Sequence, residues 1–336
     1  MKNSFMQKMT QEKPQGNIRT KRDLKATSCP LCSSDSFLTI RSISPQLIFS
    51  ELEKNLHVSF PKHITVRYSE KPFVLCECCN CHLQYFQGLP CGSEEFYEVC
   101  ASSPSYYSQK WEFDAVLNAK KFVCSGKKCI DIGAGSGAFL IKANQTGLSA
   151  IGLEYNKNLV TEGRKNAVSI FAMSAKEYKE TTNQQFDIVT CFHVLEHVND
   201  PVSFMQDILD LLKPDGILFI AVPFRESLIC RNPNNVMDCP PHHVTRWAVP
   251  QMEYLCNIFK LKKCFEQYDF TLHGYHIRET LLHNFFHNEL LAKSWLLDRF
   301  LAIGINRYTE KFWCKFHKRL KLPVFHSMLI GFQKGK

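Results

Sequence analysis

From about residue 105 onward, short apolar runs alternate with segments whose apolar positions recur at helical spacing. Apolar runs of about four to eight residues, bounded by polar, Gly or Pro positions, read as buried strands. They predict strands at 128–132, 150–154, 168–171, 186–192 and 216–222, then at 261–270 and 326–333. Helical patterns fill 138–145, 158–165, 201–212 and 250–259. This succession predicts an α/β architecture with a mostly parallel sheet of seven strands. The stretch 280–320, rich in Leu, Phe and Trp, reads as an insertion of two or three helices before the last strand.

The first 25 residues are polar, basic and poor in apolar residues, which predicts a disordered tail. Residues 26–90 are bracketed by cysteine pairs and form a candidate small domain, leaving 91–336 for the α/β unit. The chain's net charge of +9 is unevenly spread: +5 in 1–25, +7 in 305–336 and −3 between them. A mildly acidic body offers no electrostatic track for a nucleic acid. No window approaches 18 uninterrupted apolar residues, and no apolar leader stands near residue 1, so a cytoplasmic protein is expected. A mitochondrial presequence has weak support in the basic tail. The 16 cysteines then read as reduced thiols with a metal site rather than a disulfide framework.

Two knuckles carry that metal reading. Cys29-Pro-Leu-Cys32 and Cys78-Cys79-Asn-Cys81 each offer two thiolates, and a structural Zn²⁺ takes four in a tetrahedron. The 45 residues between them imply an inserted loop or helix. Cys76 and Cys79 form a competing register within the same run. Four unrelated buried thiols are the plainer alternative.

The strongest chemical signal is Asp131-Ile132-Gly133-Ala134-Gly135-Ser136-Gly137, which joins a predicted strand directly to a predicted helix. Glycine permits close backbone approach there, and a helix N-terminus presents free N–H groups. The spacing satisfies both a dinucleotide fingerprint, with Ala138 at its third position, and the pattern of S-adenosylmethionine (SAM) methyltransferases. Glu154, at the end of the next strand, suits either ligand because both carry a ribose diol. Asp131 favours SAM: a carboxylate is awkward beside a pyrophosphate and apt beside the cationic methionine portion.

The segment from about 105 to 336 resembles class I SAM-dependent methyltransferases. The resemblance extends to Phe186-Asp-Ile-Val189 followed by His193-Val-Leu-Glu-His197, and to Leu211-Leu-Lys-Pro-Asp-Gly216. Cys239-Pro-Pro-His242-His243-Val-Thr-Arg246-Trp247 resembles a segment of a branch with an N-terminal zinc ribbon. The resemblance implies a Rossmann-like methyltransferase domain preceded by a small zinc-ribbon domain. It implies SAM and a structural Zn²⁺ on Cys29, Cys32, Cys78 and Cys81. Around the cofactor it implies Asp131, Gly133, Gly135, Gly137, Glu154 and His193, with Ser174 where the family often has an acidic residue for adenine. The acceptor expected from that branch is an oxygen or carbon of a small molecule, such as a sugar nucleotide or glycan precursor.

Oxygen or carbon methylation also needs a proton removed, and histidine is the apt side chain. His193 and His197 follow the fourth strand of the α/β unit and would share a face of a helical turn; Glu196 between them reads as structural. His242 and His243 follow Pro240-Pro241, which fixes an extended approach. A metal on the four histidines gains no support from a neighbouring carboxylate or thiol pattern. Tyr106, Tyr107 and Trp111 precede the first strand of that unit as candidate lid residues. Lysines and aromatics of 280–320 raise membrane contact as a reading less favoured than ordinary helices with basic outer faces. Two other functions stay open: an RNA or protein methyltransferase gripping its polymer with the ribbon, and a SAM- or zinc-binding module without catalysis.

Overall fold

The computed structural model describes residues 28–88, 91–103, 106, 110–227, 230, 235–269 and 326–334. The expected tail at 1–25 and helical insertion at 280–320 lie outside the described residues, as does Tyr107.

The N-terminal part opens with β1 (Phe37–Ile43), α1 (Pro45–Leu56) and α2 (Lys62–Arg67), followed by β2 (Phe73–Cys78) and β3 (Gln84–Phe86). Pro45 stands in the first turn of α1, where its missing N–H costs nothing. Ile48, Phe49, Leu52 and Leu56 bury one face of that helix at three- and four-residue spacing. Helix α3 (Glu94–Ala101) starts at Ser93, whose hydroxyl accepts from Phe96 N–H, and Phe96 joins the core of α1 and α2.

Next come α4 (Trp111–Leu117), β4 (Lys128–Ile132), α5 (Ala138–Gln145), β5 (Ser149–Leu153), α6 (Lys157–Lys165), β6 (Ser169–Phe171) and α7 (Ala175–Thr181). The chain continues through β7 (Phe186–Phe192), α8 (Pro201–Asp210), β8 (Leu212–Pro223), β9 (Thr245–Arg246), α9 (Val249–Phe259), β10 (Leu261–Tyr268) and β11 (Ser327–Lys334). Seven strands form one sheet in the order β10-β11-β8-β7-β4-β5-β6. Strands β8, β7, β4, β5 and β6 run parallel; β11 is antiparallel to both its neighbours. This is the Rossmann-like, mostly parallel sheet that the strand pattern predicts. The order reverses between β4 and β7, so the loops leaving those two strands border the crevice where such sheets bind ligands.

Strand β8 begins at Leu212, four residues before the predicted start. The Lys213-Pro214-Asp215-Gly216 run reads as a turn, yet it forms a bulge inside the strand. Phe186 pairs with Leu212 and Ile188 with Ile217, so the extra residues are absorbed between those pairs. A Cβ on Gly216 would stand 2.6 Å from Leu212 Cδ1, so only glycine admits the Leu212 side chain there.

A second sheet has the order β1-β2-β3-β9. Its fourth strand, β9, comes from the far side of the chain, with Gln84 opposite Arg246 and Tyr85 opposite Thr245. Trp247, fully buried, shares one core with Leu31 and Leu83 of the knuckles and with Ile220 of β8. Gln251 donates to the Cys81 carbonyl at 2.8 Å, and Arg225 to the His82 carbonyl at 2.6 Å. The cysteine-bearing sheet and the segment carrying His242 and His243 are thus built together.

Candidate functional site

The glycine loop leaves β4 with three left-handed glycines: Gly133 at φ +74°, Gly135 at +56° and Gly137 at +84°. Gly133 and Ala134 N–H groups both donate to the Leu153 carbonyl, tying the loop to the end of β5. A Cβ on Gly133 would stand 2.4 Å from Val194 Cγ2, so this loop abuts the one leaving β7. Glu154, just past β5, accepts from Gly135 N–H and Asn156 N–H, each at 2.9 Å. Asp131 is buried and accepts from the Thr190 hydroxyl at 2.7 Å. Burial pushes its carboxyl up to about 7, against the Thr190 bond and the nearby Lys110 charge. Ser174 is engaged otherwise: its hydroxyl caps α7 in a reciprocal box with Glu177.

The four histidines come from two loops. His193 follows β7 with φ +57°, and the next turn, Leu195–His197, is 3₁₀ rather than α-helical. The expected shared face of an α-turn is therefore not what relates His193 to His197; the left-handed residue redirects the chain between them. His193 Nε2–H donates to Glu112 at 2.8 Å, and Glu112 also accepts from Ser327 at 2.7 Å. Burial opposes charge on both partners. Their attraction prevails, raising His193 to about 9 and lowering Glu112 to about 2. Trp111, at the start of α4, donates its indole N–H to Ser327 at 2.9 Å.

His197 Nδ1–H donates to the His242 carbonyl at 2.5 Å, and the Tyr97 hydroxyl donates to that carbonyl at 3.1 Å. His242 Nδ1–H donates to the Met237 carbonyl at 2.8 Å, so its Nε2 accepts from the Tyr106 hydroxyl at 2.8 Å. His243 Nδ1–H donates to Asp238 at 3.1 Å, and Asp238 also accepts from Arg246 Nε at 2.6 Å. The rings of His197, His242 and His243 lie with centroids 4.3 to 4.9 Å apart. Burial lowers all three from the ordinary imidazole range, with mutual histidine repulsion adding at His242 and His243, so they are neutral at pH 7. Glu112, Asp238 and Tyr97 carry no motif in the sequence, and only the fold brings them to the histidines; Tyr106, expected as a lid residue, stands against His242.

The thiols of Cys29, Cys32, Cys78 and Cys81 all lie within 4.8 Å of one another, with Cys29–Cys81 at 3.5 Å and Cys32–Cys78 at 3.4 Å. Sulfurs bound tetrahedrally to Zn²⁺ at about 2.3 Å stand roughly 3.8 Å apart, so the donor set fits that ion. In the competing register, Cys79 is exposed and Cys76 is buried within β2.

Residues 98–274 match the family described as "Methyltransferase domain", slightly more than half of the chain. The chain belongs to that family. Among curated relatives, the methyltransferase domain is 34% identical over 114 residues to the ubiquinone biosynthesis O-methyltransferase of Aeromonas salmonicida, covering 32% of this chain and 45% of that protein. The protein of the same name from Pseudomonas aeruginosa is 35% identical over 115 residues, covering 32% and 47%. The chain thus spans about half the length of the curated relatives it matches. A SAM-dependent methyltransferase from Archaeoglobus fulgidus aligns with 72% of this chain and 95% of its own at 15% identity and a TM-score of 0.43. Among the described residues of the methyltransferase domain and its N-terminal sheet, no helix is long and apolar enough to cross a membrane.

Proposed function

We propose that this chain transfers the methyl group of SAM to an oxygen of a small molecule, with a structural Zn²⁺ on Cys29, Cys32, Cys78 and Cys81. The observation that carries this reading is the arrangement at the sheet's reversal: Asp131, the glycine loop and Glu154 leave β4 and β5, and Gly133 abuts Val194 in the β7 loop that carries His193 and His197. SAM supplies a methyl on a positive sulfur, already a good electrophile. The chain's share is therefore largely alignment of the acceptor. Asp131 would meet the methionine ammonium group and Glu154 the ribose hydroxyls. Ser174, committed to its helix cap, is the weakest of the expected cofactor contacts. The histidine cluster would handle the acceptor's hydroxyl proton. The names of the curated relatives favour an oxygen over a carbon, and nothing among these observations favours a sugar. A polymer substrate is less favoured because the body of the chain is acidic.

Titration calorimetry with SAM is expected to give one site per chain, and methyl-labelled SAM to label phenolic or alcoholic acceptors with release of S-adenosylhomocysteine. Binding of NAD in place of SAM would reject the reading. The pH dependence tests Asp131 itself. Its folded pKa of about 7 leaves it neutral below that pH, so SAM binding should weaken by roughly tenfold per unit as pH falls below 7. Asp131→Asn should bind weakly and lack that slope. The same raised pKa makes the unliganded fold lose stability as pH rises from 3.8 to about 7, where only the unfolded carboxyl is ionised.

A further inference from the structure

We propose that His197, His242, His243 and Glu196 form a second metal site, holding a divalent ion such as Zn²⁺, Fe²⁺, Mn²⁺ or Co²⁺ on nitrogen and oxygen donors. One ring nitrogen of each of the three histidines lies within 4.8 Å of the others, and Glu196 borders that group through His243. The hydrogen bonds settle which nitrogens carry lone pairs. In His197, His242 and His243, Nδ1 faces an acceptor that has no proton to give: a main-chain carbonyl, a main-chain carbonyl and a carboxylate; the Tyr97 hydroxyl, 3.0 Å from His197 Nδ1, spends its own proton on that same His242 carbonyl. Each Nδ1 must therefore hold the proton, which leaves Nε2 as the basic nitrogen. This is how proteins orient metal-binding imidazoles, with a carbonyl or carboxylate behind the ring.

The second observation is independent of the histidines. Glu196 is 1% exposed, and neither of its carboxylate oxygens has a hydrogen-bond partner. Its nearest cation is His193, with Nδ1 at 3.4 Å, an ion pair too long for a good hydrogen bond. His243 Nε2, a lone-pair nitrogen, stands 3.9 Å from the same oxygen. A buried carboxylate whose pairing with His193 is long lacks a close donor, which costs free energy, and a lone pair turned towards it makes matters worse. A divalent cation between them removes both penalties at once. Three imidazoles and a carboxylate suit borderline first-row ions, whereas the Cys29 site offers only thiolates. His242 would exchange its Tyr106 contact for the ion, and Tyr106 would remain beside it.

The use of such an ion rests on the methyl-transfer reading. With a coordination position left open, it would bind and acidify the acceptor's hydroxyl. The cluster would then handle the hydroxyl proton through the ion rather than as free bases: the proton would leave to solvent, the new C–O bond would form as the C–S bond breaks, and neutral S-adenosylhomocysteine would depart.

The full chain, loaded with Co²⁺ and dialysed, tests the site by metal analysis and absorption. Two equivalents per chain are expected, only one of them contributing thiolate-to-cobalt charge transfer. Glu196→Gln and His243→Gln should each drop to one equivalent while keeping that thiolate band and SAM binding, both of which report an intact fold. Their methyl transfer should be lost. A wild-type chain holding a single, thiolate-bound equivalent, or a Glu196→Gln chain still holding two, would overturn the proposal. Two equivalents in a chain that does not bind SAM would leave the site standing and sink the methyl-transfer reading instead.

Discussion

Gly133→Ala is expected to weaken SAM binding roughly 100-fold, about 2.8 kcal/mol at 1.4 kcal/mol per decade. Two separate costs converge on this one methyl group. At φ +74° a side chain pays about 1–2 kcal/mol for the left-handed conformation. The new Cβ would also stand 2.4 Å from Val194 Cγ2, and such overpacking costs about 1–3 kcal/mol. Relief of the clash moves either the glycine loop, with its N–H groups, or the Val194 loop that follows His193. Either movement disturbs the surface that would receive the cofactor. Val194→Ala in the Gly133→Ala background removes the clash but not the dihedral cost, so it should restore part of the affinity. Calorimetry on the two single variants and the double variant checks this. Wild-type affinity in Gly133→Ala would mean that SAM does not bind at this loop.

Local signals were legible in the sequence and long-range ones were not. The glycine loop and the strands around it depend on neighbours a few residues away, and their order predicts the seven-stranded sheet directly. Strand β8 was legible only from Gly216 onward, because Pro214 and Gly216 are turn residues unless a partner strand absorbs them in a bulge. Ser174 occupies the position expected to meet adenine, but Glu177 three residues on makes a capping box, and that local competition was there to be read. The histidines were legible as candidates while their chemistry was not. Glu112 lies 81 residues from His193, and Tyr106 lies 136 from His242, so no spacing rule joins them. Glu196 reads as structural in sequence because its lack of a close hydrogen-bond donor becomes visible only once the chain has folded around it.

Replacing Cys32 and Cys78 together by Ser is expected to abolish methyl transfer while leaving SAM binding within a few-fold of wild type. Thiolate ligation of a structural Zn²⁺ contributes an apparent 10–16 kcal/mol (about that range in zinc-finger peptides), more than a small antiparallel sheet can supply from burial. Without the ion the turn joining β2 to β3 should open. Strand β3 pairs with β9 through Gln84 and Tyr85, and Cys81 accepts from Gln251 at the start of α9. Phe86 N–H also donates to the Val244 carbonyl, next to His243. Disorder in the cysteine-bearing sheet is therefore transmitted to the segment holding His242 and His243. The loops carrying Asp131 and Glu154 are braced differently, by β4 pairing with β5 and β7. Thermal melting should then split into an early transition for the N-terminal sheet and a later one raised by SAM. Thiol variants serve better than a chelator here, because a chelator would strip the histidine site as well. A variant that melts as the wild type does and still transfers methyl groups would show that the four thiols do not hold the histidine loop in place.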